Sequence, residues 1–127
     1  VDTVRVAYEA FARGDAAAVL AGLDASVEWI EMGGGASPSG AFIGPEAVGG
    51  GVFAVIGATF DEYHVDPAEY LDEGDRVVVT GRFRGTNKGG ARLDTGFTHT
   101  FEMRDGKVVR FENRPDDPQA WADGWTS

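Results

Sequence analysis

The sequence predicts an α+β fold, a cone-shaped α+β barrel in which three N-terminal helices pack on a curved, mostly antiparallel sheet. Apolar residues recur at helical spacing in the first part of the chain, whereas from Asp61 onward they alternate with polar residues as in strands. Helices followed by a meander of strands are typical of α+β proteins. The 127 residues, 43% of them hydrophobic, suit one domain with a substantial core, so residues 1–127 are predicted to form a single domain.

The composition excludes several classes of function. The net charge of -10 should repel phosphate backbones and anionic membranes, so neither nucleic acid nor a membrane is an expected partner. No apolar run approaches the roughly 18 residues that a membrane span needs. The absence of cysteine excludes disulfides, thiol catalysis and thiolate metal sites. A cytoplasmic protein is therefore the expectation.

Three helices are predicted from apolar spacing and capping residues. Residues 2–13 form an amphipathic helix, and Asp15 is a suitable N-cap for a second helix over residues 16–23. A third helix begins at Pro45, which is favourable in a first helical turn, and runs to about residue 60. Its triple glycine weakens the helix by roughly 1 kcal/mol per residue relative to alanine. It lacks the strand context of a nucleotide-binding loop, so close packing or a bend is predicted there.

A strand is predicted over residues 27–32, but the sequence does not decide which of its faces is buried. Val27 and Trp29 lie on one face, and Ile30 and Met32 lie on the other. Residues 33–44 are rich in Gly, Ser and Pro and predict a loop. Such a loop forms either the rim of a pocket or a mobile connection.

The second half of the chain predicts four strands, over residues 61–71, 76–84, 91–103 and 107–114. Pro67 makes the first of them an edge strand or introduces a bulge. Turns are predicted at residues 73–75 and 85–90. Trp121 and Trp125, in the tail after Pro115, are predicted to fold back over the body or to reach a partner chain.

The last two strands form a hairpin whose register decides the neighbours of His99. A two-residue loop puts His99 opposite Glu112, whereas a three-residue loop of residues 104–106 puts it opposite Phe111. The three-residue loop aligns the apolar side chains, so it is the predicted register. Asn113 then becomes a diagonal neighbour of His99.

His99 is the main candidate for chemistry because it interrupts an apolar face made by Phe97, Phe101 and Met103. An unperturbed pKa near 6.5 suits proton transfer, with Asn113 orienting the ring or polarising a substrate carbonyl. The alternative is a neutral, hydrogen-bonded core histidine. His64 lies on the polar face of its strand and is interpreted as a surface residue, so no metal site is predicted.

Aromatic side chains are predicted to form the wall of a ligand pocket around His99. A cone of helices on a curved sheet has one open end, where small-molecule pockets are common. The predicted wall and core residues are Tyr8, Trp29, Phe53, Tyr63, Phe97 and Phe111.

Five short segments, in this order and spacing, resemble the SnoaL-like branch of the nuclear transport factor 2-like superfamily. The similarity covers nearly the whole chain, and the superfamily includes ketosteroid isomerases, polyketide cyclases, dehydratases and noncatalytic binding modules. The segments are Arg13-Gly14-Asp15, Val27-Glu28-Trp29, Gly44-Pro45-Glu46-Ala47-Val48, Glu73-Gly74-Asp75-Arg76-Val77 and Arg104-Asp105-Gly106-Lys107-Val108.

The resemblance implies site residues at specific positions. His99 matches the histidine that polyketide cyclases pair with an aspartate, and the aspartate position falls on Asn113. The general base of ketosteroid isomerases lies on the first strand, at the position of Trp29 here. Their tyrosine on the first helix is about one residue out of step with Tyr8. This chain therefore lacks an acidic residue both at the aspartate position of the polyketide cyclases and at the first-strand base position of the ketosteroid isomerases.

Two functional hypotheses follow from the residues and the resemblance together. The first is a cofactor-free isomerase, cyclase or dehydratase that acts on a small hydrophobic carbonyl compound by proton transfer, with His99 moving the proton and Asn113 holding the oxygen. The second is a noncatalytic small-ligand-binding or dimeric scaffold protein. Asn113 in place of a carboxylate favours the second hypothesis, and His99 on an apolar face favours the first.

The resemblance also implies a homodimer through the outer face of the sheet. A stripe of Arg82, Arg84 and Arg110 is predicted there, and solvated ion pairs are the alternative interpretation of these arginines. The neighbouring residues on that face are Thr80, Thr98, Thr100 and Glu112.

Overall fold

The order of helices and strands confirms the predicted α+β class. The structure is a computed structural model that describes residues 2–33 and 37–126. Three helices precede most of the sheet, and a fourth follows it. The elements are α1 (Asp2–Ala12), α2 (Ala16–Ala21), β1 (Leu23–Glu31), β2 (Gly40–Ile43), α3 (residues 45–59), β3 (Phe60–Asp72), β4 (Arg76–Asn87), β5 (Arg92–Arg104), β6 (Lys107–Pro115) and α4 (Pro118–Trp125).

The six strands form one sheet in the order β2–β1–β6–β5–β4–β3. Every neighbouring pair is antiparallel except β1 and β6, which run parallel. The prediction of a mostly antiparallel sheet is therefore confirmed. One face of the sheet carries the core side chains, among them Val79, Phe83 and Phe97, and the helices pack against this face.

The first two helices begin where the sequence predicts. Val4 and Tyr8 are buried along α1, and the Asp15 carboxylate caps α2 by accepting from the Ala18 backbone N–H at 3.0 Å. The second helix ends earlier than predicted, at Ala21, because Gly22 closes it and Leu23 already belongs to β1. The buried face of β1 is the one that carries Val27 and Trp29, which resolves the ambiguity in the sequence.

Helix α3 runs continuously through its glycines. A π-helical turn, Gly49–Phe53, joins the α-helical segments Pro45–Val48 and Ala54–Thr59. A Cβ atom added at Gly51 would lie 2.6 Å from the Phe42 ring. The predicted close packing at the triple glycine is therefore confirmed.

The segment after β1 is not a loop throughout. Residues 34–36 of the predicted loop lie outside the described residues. Gly40–Ile43 pair with β1 in antiparallel register, with Ile43 opposite Glu28, so four residues of the predicted loop form a strand. Ala41, Phe42 and Ile43 provide the apolar character that a short edge strand needs.

Pro67 lies both on an edge strand and at an irregularity in its pairing. Strand β3 is the outermost strand on its side of the sheet, and its register with β4 shifts between Pro67 and Glu69. Strand β4 continues to Asn87, so the predicted turn over residues 85–90 is shorter in the structure. The strand pairing extends because Gly85 and Thr86 still pair with Leu93 and Arg92 of β5.

The C-terminal tail forms a helix that the sequence analysis did not predict. Asp117 caps α4 by accepting from the backbone N–H groups of Gln119 and Ala120, and Pro118 occupies the first turn. Trp121 and Trp125 are buried, so they fold back over the body, as the first alternative proposed. None of the helices within residues 2–33 and 37–126 is long and apolar enough to cross a membrane.

The register predicted for the last hairpin is wrong. The turn has two residues, with Arg104 paired with Lys107, but the register shifts after Met103 and Val108. This bulge inserts one extra residue, Val109, into β6. Beyond the bulge, from Glu102 back to Phe97, the pairing of β5 with β6 differs from both of the alternatives considered. His99 lies directly opposite Asn113.

Candidate functional site

A cavity of about 80 Å³ lies between the core face of the sheet and the helices. Its wall is mostly apolar and includes side chains from all four helices. The polar side chains in the wall belong to α1, β1, β3, β5 and β6. The principal lining residues are Tyr8, Phe11, Trp29, Glu31, Val52, Phe53, Ile56, Tyr63, Phe83, His99, Phe111, Asn113, Trp121 and Trp125.

Five side chains in the wall form one continuous chain of hydrogen bonds. The Tyr8 hydroxyl lies 2.6 Å from Nδ1 of His99, and Nε2 of His99 lies 3.0 Å from Oδ1 of Asn113. Asn113 Nδ2 donates to Oε1 of Glu31 at 3.0 Å. Trp29 Nε1 donates to Oε2 of the same carboxylate at 2.6 Å. Four of these residues were predicted to lie at the site from the sequence, and Glu31 was not.

The direction of the chain assigns the tautomer of His99. Because the amide nitrogen of Asn113 donates to Glu31, its amide oxygen faces the histidine and accepts from Nε2. Nδ1 of His99 then has a free lone pair, and it accepts from the Tyr8 hydroxyl. Every donor in the chain therefore points towards Glu31, as an ionised carboxylate requires.

Glu31 lies at the end of β1 and is 6% exposed. Burial raises its pKa from 4.5 to about 7, while the hydrogen bonds from Asn113 and Trp29 lower the pKa and oppose part of that rise. The carboxylate also acts on Tyr63, whose pKa is raised first by burial and then by the negative charge of Glu31. A carboxyl group that titrates near neutral pH in an apolar cavity is suited to proton transfer.

His99 is held as a neutral ring. Burial lowers its pKa from 6.5 to about 3, although the hydrogen bond to Asn113 opposes the decrease. The Phe97 ring stacks on it at a centroid distance of 3.9 Å, and Phe111 packs edge-on at 4.8 Å. With both nitrogens engaged and its cationic form disfavoured, His99 is better suited to holding its neighbours in place than to accepting a proton.

The structure brings most of the predicted site residues to one cavity. Tyr8, Trp29, Phe53, Tyr63 and Phe111 line it together with His99 and Asn113. Phe97, predicted as a wall residue, lies instead behind His99 and is fully buried. His64 is exposed on β3, opposite Arg84 of β4.

The sequence contained a signal for Glu31 that was not used. Glu31 lies two residues after Trp29, so a strand that buries Trp29 also buries Glu31. The first-strand base position, which the resemblance assigns to Trp29, thus has a carboxylate beside it on the same face. Trp121 and Trp125 also belong to the cavity wall, which required knowing that the tail is a helix.

The arginines on the outer face of the sheet are paired with carboxylates of the same chain. Arg82 pairs with Asp94 at 2.5 Å, and Arg84 pairs with Asp66 at 2.7 Å. Arg110 lies 2.8 Å from Glu112 and also approaches Glu28 and Glu102 at 3.4 and 3.5 Å. These exposed pairs contribute little to stability, but they cancel the positive charge of the predicted stripe.

Comparisons with known proteins match the sequence and the fold of this chain. The sequence model of the SnoaL-like domain matches residues 4–111. An NTF2-like protein of unknown function from Burkholderia pseudomallei is 30% identical, with a TM-score of 0.91 over 99% of this chain and 96% of that chain. TerC, co-crystallised with polyporic acid, is 27% identical, with a TM-score of 0.89 over 99% of this chain and 97% of that chain.

A third structure, Bal32a from a soil-derived mobile gene cassette, is 28% identical, with a TM-score of 0.88 over 98% of this chain and 95% of that chain. No curated protein sequence matches the chain.

Proposed function

Because the chain belongs to the SnoaL-like domain family, we propose that it is an enzyme that transfers a proton on a small hydrophobic carbonyl compound, with Glu31 as the group that moves the proton. The observation that carries the proposal is the buried carboxyl group of Glu31 in the wall of an apolar cavity, with its pKa raised to about 7. Isomerisation, cyclisation and dehydration all use such a step.

The proposed reaction begins with the ionised form of Glu31. The carboxylate takes a proton from the carbon next to the substrate carbonyl, so that a C–H bond breaks and an O–H bond forms on Glu31. The electron pair moves to the carbonyl oxygen and makes an enolate. Glu31 then returns the proton to another atom of the same molecule, which regenerates the carboxylate. A pKa of about 7 lets one group serve as base and then as acid near neutral pH.

The neighbours of Glu31 are proposed to position it. Asn113 and Trp29 each donate to one of its oxygens, which fixes the orientation of the carboxylate. Each oxygen keeps a second lone pair for the proton. His99 holds the amide of Asn113 in the orientation that donates to Glu31, and its neutrality keeps a positive charge away from the carboxylate. His99 and Asn113 therefore remain in the proposed site as positioning residues.

The size of the cavity points to a compact substrate. Its volume of about 80 Å³ is smaller than the roughly 150 Å³ cavity that is known to bind benzene. A short chain fits inside, whereas a ring or a larger molecule must extend through the opening of the cavity. Polyporic acid, with which TerC was co-crystallised, is one of the ligands to test.

The experiment compares the wild type with Glu31→Gln on a β,γ-unsaturated cyclohexenone, whose conversion to the conjugated isomer is followed by ultraviolet absorbance. We expect the variant to lose about 10²- to 10⁴-fold in kcat/KM, the range for removal of a general base. The wild-type rate should rise with pH and level off above about pH 7, as Glu31 ionises.

The matched control is Glu28→Gln, which removes an exposed carboxylate from the same strand. This variant should retain the wild-type rate. Equal rates for the wild type and Glu31→Gln would remove Glu31 from the mechanism. Deuterium exchange next to the carbonyl of cyclohexanone, measured by NMR, extends the comparison to substrates that do not isomerise.

A second candidate function is binding without catalysis. It is favoured by the engagement of Tyr8, His99 and Asn113 in hydrogen bonds within the chain, which leaves Glu31 as the main reactive group. Under this hypothesis, polyporic acid or a single-ring ketone binds in the cavity with no turnover above the buffer rate.

A homodimer through the outer face of the sheet is also proposed. The charges of Arg82, Arg84 and Arg110 are neutralised within the chain, so the face does not repel a second copy by an excess of positive charge. We expect light scattering to give twice the chain mass of 13.5 kDa. A Thr98→Arg substitution, which adds a bulky charged side chain to the middle of that face, should shift the population to the monomer. A monomeric wild type would contradict the proposal.

A further inference from the structure

Trp125 carries a hydrogen-bond donor that the protein itself leaves unused. Its side chain lines the cavity and is 4% exposed. Its indole Nε1 is buried and has no hydrogen-bond partner among residues 2–33 and 37–126. A buried N–H without a partner costs about 1 to 3 kcal/mol, so such groups are rare and need an explanation.

The other two tryptophans do not share this feature. Trp29 donates to Glu31 at 2.6 Å, and Trp121 donates to Oγ of Ser37 at 2.8 Å. All three side chains line the same cavity. The fold therefore satisfies two indole donors and leaves the third, on a residue that lines the cavity, without a partner among the described residues.

The position of Trp125 is fixed by contacts on several sides. Asn87 Nδ2 donates to the Trp125 backbone oxygen at 3.2 Å. The preceding residue, Gly124, packs so closely that an added Cβ would lie 2.7 Å from Leu93. Phe60 and Trp121 pack against the indole at centroid distances of 4.9 and 5.5 Å. A donor held this firmly is organised in advance for a ligand, which reduces the entropy cost of binding.

We infer that Trp125 is a ligand-binding residue whose indole N–H donates to an oxygen of the bound molecule. The inference deepens the proposed function and rests on it for the class of ligand. Trp125 packs against Phe60 at the start of β3, and Glu31 lies on β1, with three strands between β3 and β1 in the sheet. Both residues nevertheless line the same cavity, so one ligand can present its carbonyl oxygen to Trp125 and the C–H next to the carbonyl group to Glu31. Electron density that moves to the oxygen during proton removal strengthens the bond to Trp125.

Two probes of nearly the same shape test the inference. Cyclohexanone carries an acceptor oxygen, and methylenecyclohexane carries a CH₂ group in its place. Dissociation constants from NMR titration give a ketone-to-alkene preference for each variant. We expect Trp125→Phe to reduce this preference about fivefold relative to the wild type, the effect of one net hydrogen bond.

Glu28→Gln is the control, because it changes an exposed side chain that is not among the residues lining the cavity. It should keep the wild-type preference. A measurement on the wild type does not require any variant to fold. Cyclohexanone should shift the indole N–H resonance of Trp125 downfield, and methylenecyclohexane should not.

Either of two results overturns the inference. One is a ketone-to-alkene preference in Trp125→Phe that equals that of the wild type. The other is an indole N–H resonance of Trp125 that responds equally to both probes. This second result would indicate that the N–H contacts the Phe60 ring instead. These readouts measure binding and not turnover. A failure of the proposed catalysis is therefore distinguishable from a failure of this inference. In that case Glu31→Gln has the same rate as the wild type, and the ketone-to-alkene preference is retained.

Discussion

The stability of Glu31→Gln relative to the wild type is expected to rise between pH 4.5 and pH 8, although the substitution removes the proposed proton carrier. Burial raises the pKa of Glu31 from 4.5 to about 7 in the folded protein. Above pH 7 the wild type must therefore hold a charge that the cavity disfavours. The difference between the two pKa values corresponds to about 3 kcal/mol of unfolding free energy.

The sign follows from the number of protons that each state binds. Between pH 4.5 and about 7, folded Glu31 keeps its proton while the unfolded chain has lost it, so this group lowers stability as the pH rises. Glutamine does not titrate. The stability of the variant minus that of the wild type should therefore grow by up to about 3 kcal/mol between pH 4.5 and pH 8.

The wild type alone would conceal this effect because His99 acts in the opposite direction. Its pKa falls from 6.5 to about 3 on folding, so it adds stability as the pH rises through that range. Between pH 4.5 and 6.5, the folded state holds its proton on Glu31 and the unfolded state holds one on His99. The two contributions then cancel, and only the comparison with Glu31→Gln separates them.

Urea denaturation of both proteins at pH 4.5 and pH 8 measures the effect. Glu28→Gln, with its carboxyl group exposed, is the control and should differ from the wild type by about the same amount at both pH values. A difference between Glu31→Gln and the wild type that does not change with pH would mean that Glu31 titrates normally. It would also remove the physical basis for the proposed base.

The fold was largely predictable because residues within or next to most helices and strands indicate where they lie. Asp15 caps α2 and Pro45 starts α3, and both signals depend only on neighbouring residues. Pro67 likewise marked an edge strand with a bulge. The same kind of signal was present at Asp117 and Pro118, where a cap and a first-turn proline begin α4, but the tryptophans that follow were interpreted only as a tail.

The hairpin register was not predictable in the same way. Both registers considered were uniform, whereas the structure changes register within the hairpin. The bulge at Val109 lets Arg104 pair with Lys107 and still brings Phe101 opposite Phe111. Matching apolar faces along a regular ladder cannot reveal an inserted residue, because the bulge satisfies both the turn and the core at once.

Glu31 was not predicted as a site residue for a different reason. A glutamate in a strand is normally exposed, because a buried charge is costly without partners. The partners of Glu31 are Asn113, which lies 82 positions later in the chain, and Trp29. Asn113 was predicted to be a site residue that lacks an acid, but in the structure it holds the acid in place. The tertiary structure places the acidic side chain of the site on β1 and not on β6.

Trp121→Ala is expected to lower the unfolding free energy by about 3 to 5 kcal/mol, the usual cost of removing a large buried aromatic side chain. Trp121 is 1% exposed and packs against Phe83 at a centroid distance of 4.9 Å and against Trp125 at 5.5 Å. It therefore helps to anchor α4 to the body. Urea denaturation monitored by far-ultraviolet circular dichroism measures the loss.

Trp121→Phe separates packing from hydrogen bonding in this prediction. It keeps an aromatic ring and loses mainly the donation to Ser37, so we expect a smaller loss of about 1 kcal/mol plus the cost of the reduced volume. Added indole should bind the space left in Trp121→Ala and raise its stability, whereas it should have little effect on the wild type. If Trp121→Ala instead lost less than Trp121→Phe, α4 would not depend on this contact. The predicted rescue by indole ties the stability of the tail to the same cavity that holds Glu31, because Trp121 lines that cavity.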